Sequence, residues 1–79
     1  MNLTEHLQDW SFDRVETDPG WQEWVRLGIE WDLRVLVNHD PDRPSILIEK
    51  YGKDVDQITG VTVRPYHDPV VISIIEGWL

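Results

Sequence analysis

A long stretch of alternating apolar and polar side chains, residues 21–37, constrains this chain more than any other feature of its sequence. Eight of the nine odd-numbered residues in the stretch are apolar, and the exception is Glu23. The even-numbered residues are mostly polar or charged. Because side chains alternate between the two faces of a β-strand, this period of two predicts a strand with one buried face and one face in water.

Gly28 divides this stretch, and it leaves two interpretations open. Glycine adopts bends and bulges at low cost, so we expect the strand to bend or break near Gly28. The alternative is a helix over residues 19–30, with Asp18 as its N-cap and Pro19 at its first position. That helix would hold Gly28 in its interior at a cost of about 1 kcal/mol relative to alanine, and we therefore favour the strand.

Three later segments carry the apolar and β-branched side chains that are typical of strands, and turn residues separate them. The predicted strands are 45–51, 57–66 and 70–76. The loops between them are short, which favours an antiparallel meander in which each strand pairs with the next one along the chain.

The N-terminal segment has the pattern of an amphipathic helix. The apolar residues at the spacing of one helical face are Leu3, Leu7 and Trp10. Asn2 and Glu5 match a capping box, so we predict a helix over about residues 3–13. The predicted fold class is α+β, with this helix packed on a four- to five-stranded antiparallel sheet.

Size and composition limit the class of protein. With 79 residues and five tryptophans, we expect one small domain whose core depends on large side chains. The chain has no cysteine, which excludes disulfides and cysteine-based zinc sites and fits a cytoplasmic protein. No apolar run is long enough for a membrane span, and the first residues lack the pattern of a signal peptide.

The charge of the chain is strongly acidic. Fifteen acidic residues against seven basic ones give a formal net charge of −8. This charge argues against nucleic acid or an anionic membrane as a direct partner, because both attract positive charge. Three explanations stay open: a basic protein partner, adaptation to high salt, or solubility alone.

Carboxylates recur at helical spacing along the predicted helix and just beyond it. They are Glu5, Asp9, Asp13 and Glu16. A stripe of like charges is an ordinary solvated face, and it is also a surface that a cationic partner would contact. Trp24 lies among the polar positions beside Arg26, either as an apolar anchor for a partner or as a residue packed under the helix or a loop.

The tripeptide His-Asp-Pro occurs twice, at residues 39–41 and 67–69. Alternate turns of a meander lie at the same end of the sheet, so these turns contain weak candidates for a divalent metal site. The candidate ligands are His39, Asp40, His67 and Asp68. Asp-Pro is also ordinary turn chemistry, and no supporting residues are evident, so we predict neither a metal nor a cofactor.

Patterns that support catalysis are absent from the sequence. There is no cysteine nucleophile, no Gly-x-Ser-x-Gly motif and no glycine-rich phosphate loop. Glu30 and Asp32 are spaced to share one strand face, but Arg26 and Arg34 would share that face and pair with them. We therefore predict that the protein is not an enzyme.

These observations favour a small binding protein that docks on a basic surface of another protein. Small acidic inhibitors of nucleic-acid-handling proteins work in this way, among them immunity proteins and phage inhibitors, because their carboxylates substitute for phosphates. The alternative is a structural module that self-associates through its strand edges, with a homodimer as its simplest form. In that case the acidity reflects solubility or a salty cytoplasm.

Overall fold

Two helices, one at each end of the chain, flank five strands. The structure, a computed structural model, describes residues 2–16, 20–38, 42, 44–53, 57–63 and 68–79. The elements in chain order are α1 (Leu3–Asp9), β1 (Asp13–Val15), β2 (Trp21–Arg26), β3 (Trp31–Asn38), β4 (Ser45–Gly52), β5 (Gln57–Val63) and α2 (Asp68–Trp78). The two helices contact each other although they are far apart in sequence.

The five strands form one antiparallel sheet in the order β1-β2-β3-β4-β5. Each strand therefore pairs with its neighbour in sequence, which is the arrangement that short connections favour. The predicted α+β class, with an N-terminal helix and an antiparallel meander, is confirmed. None of the described helices is long and apolar enough to cross a membrane.

Helix α1 begins with the predicted capping box. The Asn2 side chain accepts a hydrogen bond from the Glu5 amide at 2.9 Å, and the Glu5 carboxylate accepts one from the Asn2 amide at 3.3 Å. These two bonds satisfy N–H groups that have no partner within the helix. Leu3 and Leu7 of this helix are buried, as their spacing predicted.

The C-terminus of α1 comes earlier than the sequence pattern predicted. The helix ends at Asp9, and Ser11 then adopts a left-handed φ of 64° that turns the chain. Phe12 enters the core after this turn. Residues 13–15 form β1, so the prediction of a helix over 3–13 is wrong for its last turn.

The alternating stretch 21–37 forms a hairpin, in which β2 and β3 are joined by a turn at residues 27–30. Glycine is required at position 28, because a Cβ there would collide with the carbonyl oxygen of Trp31. The predicted break near Gly28 is confirmed, but the stretch forms two antiparallel strands rather than one long strand. The alternative of a helix over residues 19–30 is wrong, since β2 occupies half of that range, Trp21–Arg26.

The hairpin reverses which residues of this stretch face the core. Its register pairs Trp24 with Val35, and it therefore places even-numbered residues of β2 on the same face as odd-numbered residues of β3. Trp24 is 4% exposed, whereas Trp21 is 44% exposed. The prediction that the odd-numbered residues are buried is correct for β3 and wrong for β2.

β4 and β5 lie where strands were predicted. β4 spans Ser45–Gly52 against the predicted 45–51, and β5 spans Gln57–Val63 against the predicted 57–66. The last part of that second prediction, residues 64–66, lies outside the described residues.

The predicted last strand, residues 70–76, is wrong, because this segment belongs to helix α2. Val71 and Ile75 are one helical turn apart and are fully buried in the core. An apolar segment of this length suits either a buried strand or a helix that faces a sheet, and packing decides between the two. Pro69 is tolerated because it lies in the first turn, where its missing N–H has no intrahelical acceptor.

The core lies between the two helices and one face of the sheet, which we call the inner face. The inner face contains the strand residues that are in register with Trp24 and Val35. The buried apolar residues of the core are Leu3, Leu7, Phe12, Trp24, Leu33, Val35, Val37, Ile46, Ile48, Val71 and Ile75. Both described helices pack on this side, so neither covers the opposite side of the sheet.

Candidate functional site

The outer face is the side of the sheet away from α1 and α2. Residues that are directly opposite each other in an antiparallel pair share a face, so the strand register assigns every second residue to it. These residues are Asp13, Val15, Trp21, Glu23, Val25, Asp32, Arg34, Leu36, Asn38, Ser45, Leu47, Glu49, Tyr51, Ile58, Gly60 and Thr62.

The charged residues of the strands are divided between the two faces by sign. Each of β1, β2, β3 and β4 carries one acid and one base. The four acids, Asp13, Glu23, Asp32 and Glu49, are all in register with the outer face. Of the four bases, only Arg34 shares that face, and the other three are Arg14, Arg26 and Lys50. The strand charges are therefore balanced in sequence and separated in space.

The three bases on the inner face lie at the margin of the core. Lys50 illustrates how such a cation is accommodated, because its Nζ lies 3.9 Å from the centroid of the Trp31 ring. A long basic side chain can cover apolar surface with its methylene groups while its charge contacts an aromatic face or water. Acidic side chains are shorter and lack this option, which accounts for their position on the open side of the sheet.

This arrangement corrects one expectation from the sequence. Glu30, Asp32, Arg26 and Arg34 were predicted to share one polar face. Arg26 is on the inner face because of the hairpin register, and Glu30 lies in the turn between the strands. Of these four, only Asp32 and Arg34 are in outer-face register, and the other acids of that face, Asp13, Glu23 and Glu49, make it more acidic than the sequence alone indicated.

An ion-pair network occupies the centre of the outer face. Arg34 on β3 donates from Nε to Glu23 on β2 at 2.7 Å and from a terminal nitrogen to Glu49 on β4 at 3.1 Å. The same nitrogen donates to the Tyr51 hydroxyl at 3.3 Å, and this bond, followed by Glu23, raises the pKa of Arg34. Glu49 is directly opposite Arg34 in the register, whereas Glu23 reaches it diagonally.

The network is only partly shielded from water. The side chain of Arg34 is 33% exposed, and those of Glu23 and Glu49 are 17% and 15% exposed. Charges in such a position still reach the surface, where a binding partner can contact them. The network therefore presents two ordered carboxylates on an open surface.

Apolar side chains surround the network. Val25, Leu36 and Leu47 are half-buried within the outer face, and Val15 and Ile58 are exposed toward its two edges. Their presence reduces the charge density and adds apolar area that a second molecule can cover. Such a mixture of apolar contacts with oriented charges is typical of protein–protein interfaces.

Asp32, the remaining central acid, is used to hold two turns together. Its Oδ1 accepts the Gly28 amide at 3.1 Å and lies 3.1 Å from Nζ of Lys53, whose own amide donates to the Glu30 carbonyl. The Gly28 hydrogen bond, and after it Lys53, lowers the pKa of Asp32. We therefore assign Asp32 to the stability of the hairpin end rather than to binding.

The predicted acidic stripe is not a continuous helical surface. Glu5 and Asp9 are exposed on α1, and Glu5 also belongs to the capping box. Asp13 lies on the outer face of β1, and Glu16 is exposed just after that strand. These four carboxylates therefore lie on different elements because α1 ends at Asp9.

Trp24 does not have the exposure that an anchor residue needs. It belongs to the buried core on the inner face. Anchors at interfaces are surface side chains that become buried only in the complex. The proposal of Trp24 as an apolar anchor is therefore wrong, and the exposed Trp21 is the tryptophan that shares the outer face.

Of the four weak candidates for metal ligands, the structure describes only Asp68. His39, Asp40 and His67 lie outside the described residues. Asp68 is the first residue of α2, and its Oδ2 accepts the Leu3 amide at 3.2 Å, which links the starts of the two helices. Within the described part of the chain, no group of three or more potential ligands is clustered.

A groove at the turn between β2 and β3 is mainly apolar in character. It has a volume of about 460 Å³, and residues 26–31 and Leu79 line it. Leu27 and Ile29 at its rim are 75% and 97% exposed, and Glu30 is an isolated carboxylate there. Asp32 is held by Gly28 and Lys53 and Glu30 lies in the turn, so these two carboxylates do not share a strand face as the sequence predicted.

Sequence patterns alone did not reveal the Glu23–Arg34–Glu49 network. Residues 23 and 34 belong to different strands, so their contact depends on the hairpin register. A usable signal was present in the sequence: each of the first four strands contains one acid and one base, and the two are an odd number of residues apart in β1, β2 and β4. Such a spacing places them on opposite faces.

Comparisons with known proteins do not assign the chain to a group. No family model matches it, and neither the curated proteins nor the solved structures contain a match. Evidence for a function therefore comes from the outer face itself.

Proposed function

We propose that this protein is a small, non-enzymatic binding protein whose outer face docks on a basic surface of another protein. The sign of the strand charges carries this proposal, because four carboxylates and one guanidinium lie on the outer face while three bases lie on the inner face. A surface of this sign attracts a cationic partner and repels nucleic acid and anionic membranes.

The restricted rotamers of the two central carboxylates, Glu23 and Glu49, support the proposal. Glu23 and Glu49 both use Oε1 to contact Arg34, which restricts their rotamers before any partner arrives. Binding then costs less side-chain entropy than it would for freely rotating acids. Each carboxylate has a second oxygen, which can accept a hydrogen bond from an arginine or lysine of the partner.

The expected partner is a nucleic-acid-handling protein. The cationic groove of such a protein is suited to phosphates, and oriented carboxylates can occupy the same positions. We propose that the protein is an inhibitor of the immunity or phage anti-defence kind, acting in the cytoplasm. Association should be fast and should weaken as the salt concentration rises, because charge attraction steers the two surfaces together.

The first experiment identifies a partner and measures the salt dependence of binding. The tagged protein is used to capture proteins from its host lysate at low salt, and the captured protein is then purified. Isothermal titration calorimetry at several salt concentrations should show affinity falling steadily as salt rises. An affinity that does not change with salt would contradict a charge-directed docking surface.

Two variants with the same change in net charge locate the surface. The triple variant E23Q/R34M/E49Q removes the network and raises the net charge by one, and Asp9→Asn on α1 also raises it by one. We expect the triple variant to weaken binding at least about tenfold and Asp9→Asn to weaken it by less than about twofold. Melting curves confirm that both variants remain folded.

The opposite pattern would move the binding surface elsewhere. If Asp9→Asn weakens binding and the triple variant does not, the partner contacts the helical side of the molecule. Equal effects of the two variants would mean that only the net charge matters, and the outer face would lose its assignment.

A further inference from the structure

The two edges of the sheet differ in how they are protected from pairing with another strand. An edge strand presents unpaired N–H and C=O groups, and proteins protect such edges with short strands, charges or proline. β1 has only three residues, two of which are charged, Asp13 and Arg14. β5 has seven residues, Gln57–Val63, and none of them is charged or proline.

The β5 edge is also open in the fold. Ile58 is 60% exposed, and Thr59, Gly60 and Thr62 are exposed as well. Among the described residues, β4 is the only strand that pairs with β5. A long, neutral, β-branched edge with this exposure is suited to pairing with another strand.

We propose that β5 pairs antiparallel with β5 of a second copy of this chain, which joins the two five-stranded sheets into one continuous sheet. This inference is independent of the proposed docking function, because it uses an edge of the sheet rather than its outer face. A second copy is the occupant that the edge itself specifies, since two identical neutral edges meet without placing charges against each other.

Symmetry restricts the possible registers of this pairing. Two antiparallel strands in one sheet are related by a two-fold axis only if that axis is perpendicular to the sheet. The axis then keeps both outer faces on the same side, and it passes midway between one residue and the same residue of the second copy, which lie opposite each other. The register that overlaps all seven residues places Gly60 at this position, because it is the middle residue of β5.

The residues around this axis are compatible with pairing. Ile58 would be opposite Thr62 of the second copy on the outer face, and Thr59 would be opposite Val61 of the second copy on the inner face. Such pairs of β-branched residues are favourable across strands. Gly60 at the axis has no side chain, so the two copies of Ile58 have room to approach the centre.

The charge distribution predicts an unusual salt dependence for this dimer. Each copy has a formal net charge of −8, so the two molecules repel each other over long distances. On the outer face the nearest charge to Gly60 is Glu49, one strand away from the edge. Added salt should therefore strengthen the dimer by screening this repulsion, whereas it should weaken docking on a basic protein.

Analytical ultracentrifugation of the full chain tests the proposal. Edge pairing alone covers less area than the 1,200–2,000 Å² of a standard interface, so we expect a weak dimer with a dissociation constant of about 10–100 µM. The mass should increase from 9.3 kDa toward twice that value as the protein concentration rises, and more so at high salt. A monomer at about 500 µM under both salt conditions would overturn the proposal.

Charged variants at the paired positions test the register. In I58K/T62K, each introduced lysine faces another lysine across the axis, and we expect the dimer to weaken at least about tenfold. In I58K/T62E, each lysine faces a glutamate of the second copy, and the dimer should persist. Within one chain positions 58 and 62 are too far apart along the strand, at about 13 Å, to pair with each other.

A control variant distinguishes the effect of charges at the β5 edge from the effect of a change in net charge. V70K/S73K adds the same two charges to exposed positions on α2 and should leave the dimer intact. Circular dichroism confirms the fold of all three variants. If I58K/T62K and I58K/T62E weaken the dimer equally, or if V70K/S73K weakens it as much as either one, then the proposed pairing through Gly60 is wrong.

Discussion

On β3, Leu33 and Val35 of the inner face are at most 1% exposed, while the side chain of Arg34 between them on the outer face is 33% exposed. The inner residues stabilise the fold by removing apolar area from water. The outer ion pairs are partly solvated, and ion pairs in such positions contribute little to stability. The residues that stabilise the fold and the residues of the proposed docking surface are therefore separated by a single step along the strand.

The outer face can therefore be changed without loss of the fold, whereas the inner face cannot. A substitution on the inner face alters packing that both helices share. A substitution on the outer face alters a surface that neither described helix covers.

The largest difference is expected between two neighbours on β4. Ile48→Ala removes a fully buried side chain of the inner face and should cost about 2–5 kcal/mol in the free energy of unfolding. Leu47→Ala removes a half-buried side chain of the outer face and should cost about 1 kcal/mol. Urea denaturation followed by tryptophan fluorescence measures both. Equal losses would show that the outer face is covered in the folded protein.

The β2–β3 hairpin determines which residues share a face, and adding one methyl group at its turn should lower the stability of the protein. Gly28→Ala places a Cβ against the Trp31 carbonyl oxygen, so the turn must distort, and we expect a loss of about 1–3 kcal/mol. Gly77→Ala is the matched control, because nothing lies within 4 Å of its added Cβ in α2. That variant should be neutral or more stable by up to about 1 kcal/mol. Similar melting temperatures for the two variants would contradict the tight turn.

A smaller effect is expected from the ion-pair network. Arg34→Met leaves Glu23 and Glu49 without their shared cation, and it should cost about 1 kcal/mol. The triple variant E23Q/R34M/E49Q removes the carboxylate charges as well and should cost less than the single variant. Chemical denaturation of both proteins at low salt provides the comparison. A greater loss in the triple variant would show that the network stabilises the fold beyond charge pairing.

The smallest expected effect is the pH dependence of the stability that Asp32 contributes. The Gly28 amide and Lys53 lower the pKa of Asp32 below its ordinary value of 3.8, so its ionised form is favoured in the folded state. The stability that Asp32 contributes is present above pH 3.8 and is lost as the pH falls through the lowered pKa. Asp32→Asn should therefore be less stable than the original protein at neutral pH, and this difference should shrink in acid. A constant difference across that range would argue against the assigned contacts.

Much of the fold was predictable because its signals are local. The capping box of Asn2 and Glu5, the period of two over residues 21–37 and the break at Gly28 each depend on a few adjacent residues. Short connections between strands were enough to predict the meander, since a chain cannot cross a sheet in a few residues.

The candidate site was less predictable because it depends on contacts between strands. The predicted carboxylate stripe followed a helix that ends early, at Asp9, where Ser11 turns the chain. The Arg34 network combines residues from three strands, and no local pattern specifies which acid meets which base. One continuous alternation over residues 21–37 predicts Trp24 on the polar face, whereas the hairpin register places it in the core.

By itself, the sequence determined the class of the fold, the antiparallel meander, the break at Gly28 and the strongly acidic charge. The tertiary structure alone decided that residues 70–76 form part of a helix, because their apolar side chains suit either element until they pack against the sheet. It also decided the faces of the strands. A hairpin register that pairs an even residue with an odd one reverses the alternation, and that register brought Trp24 to the core and Glu23 to Arg34.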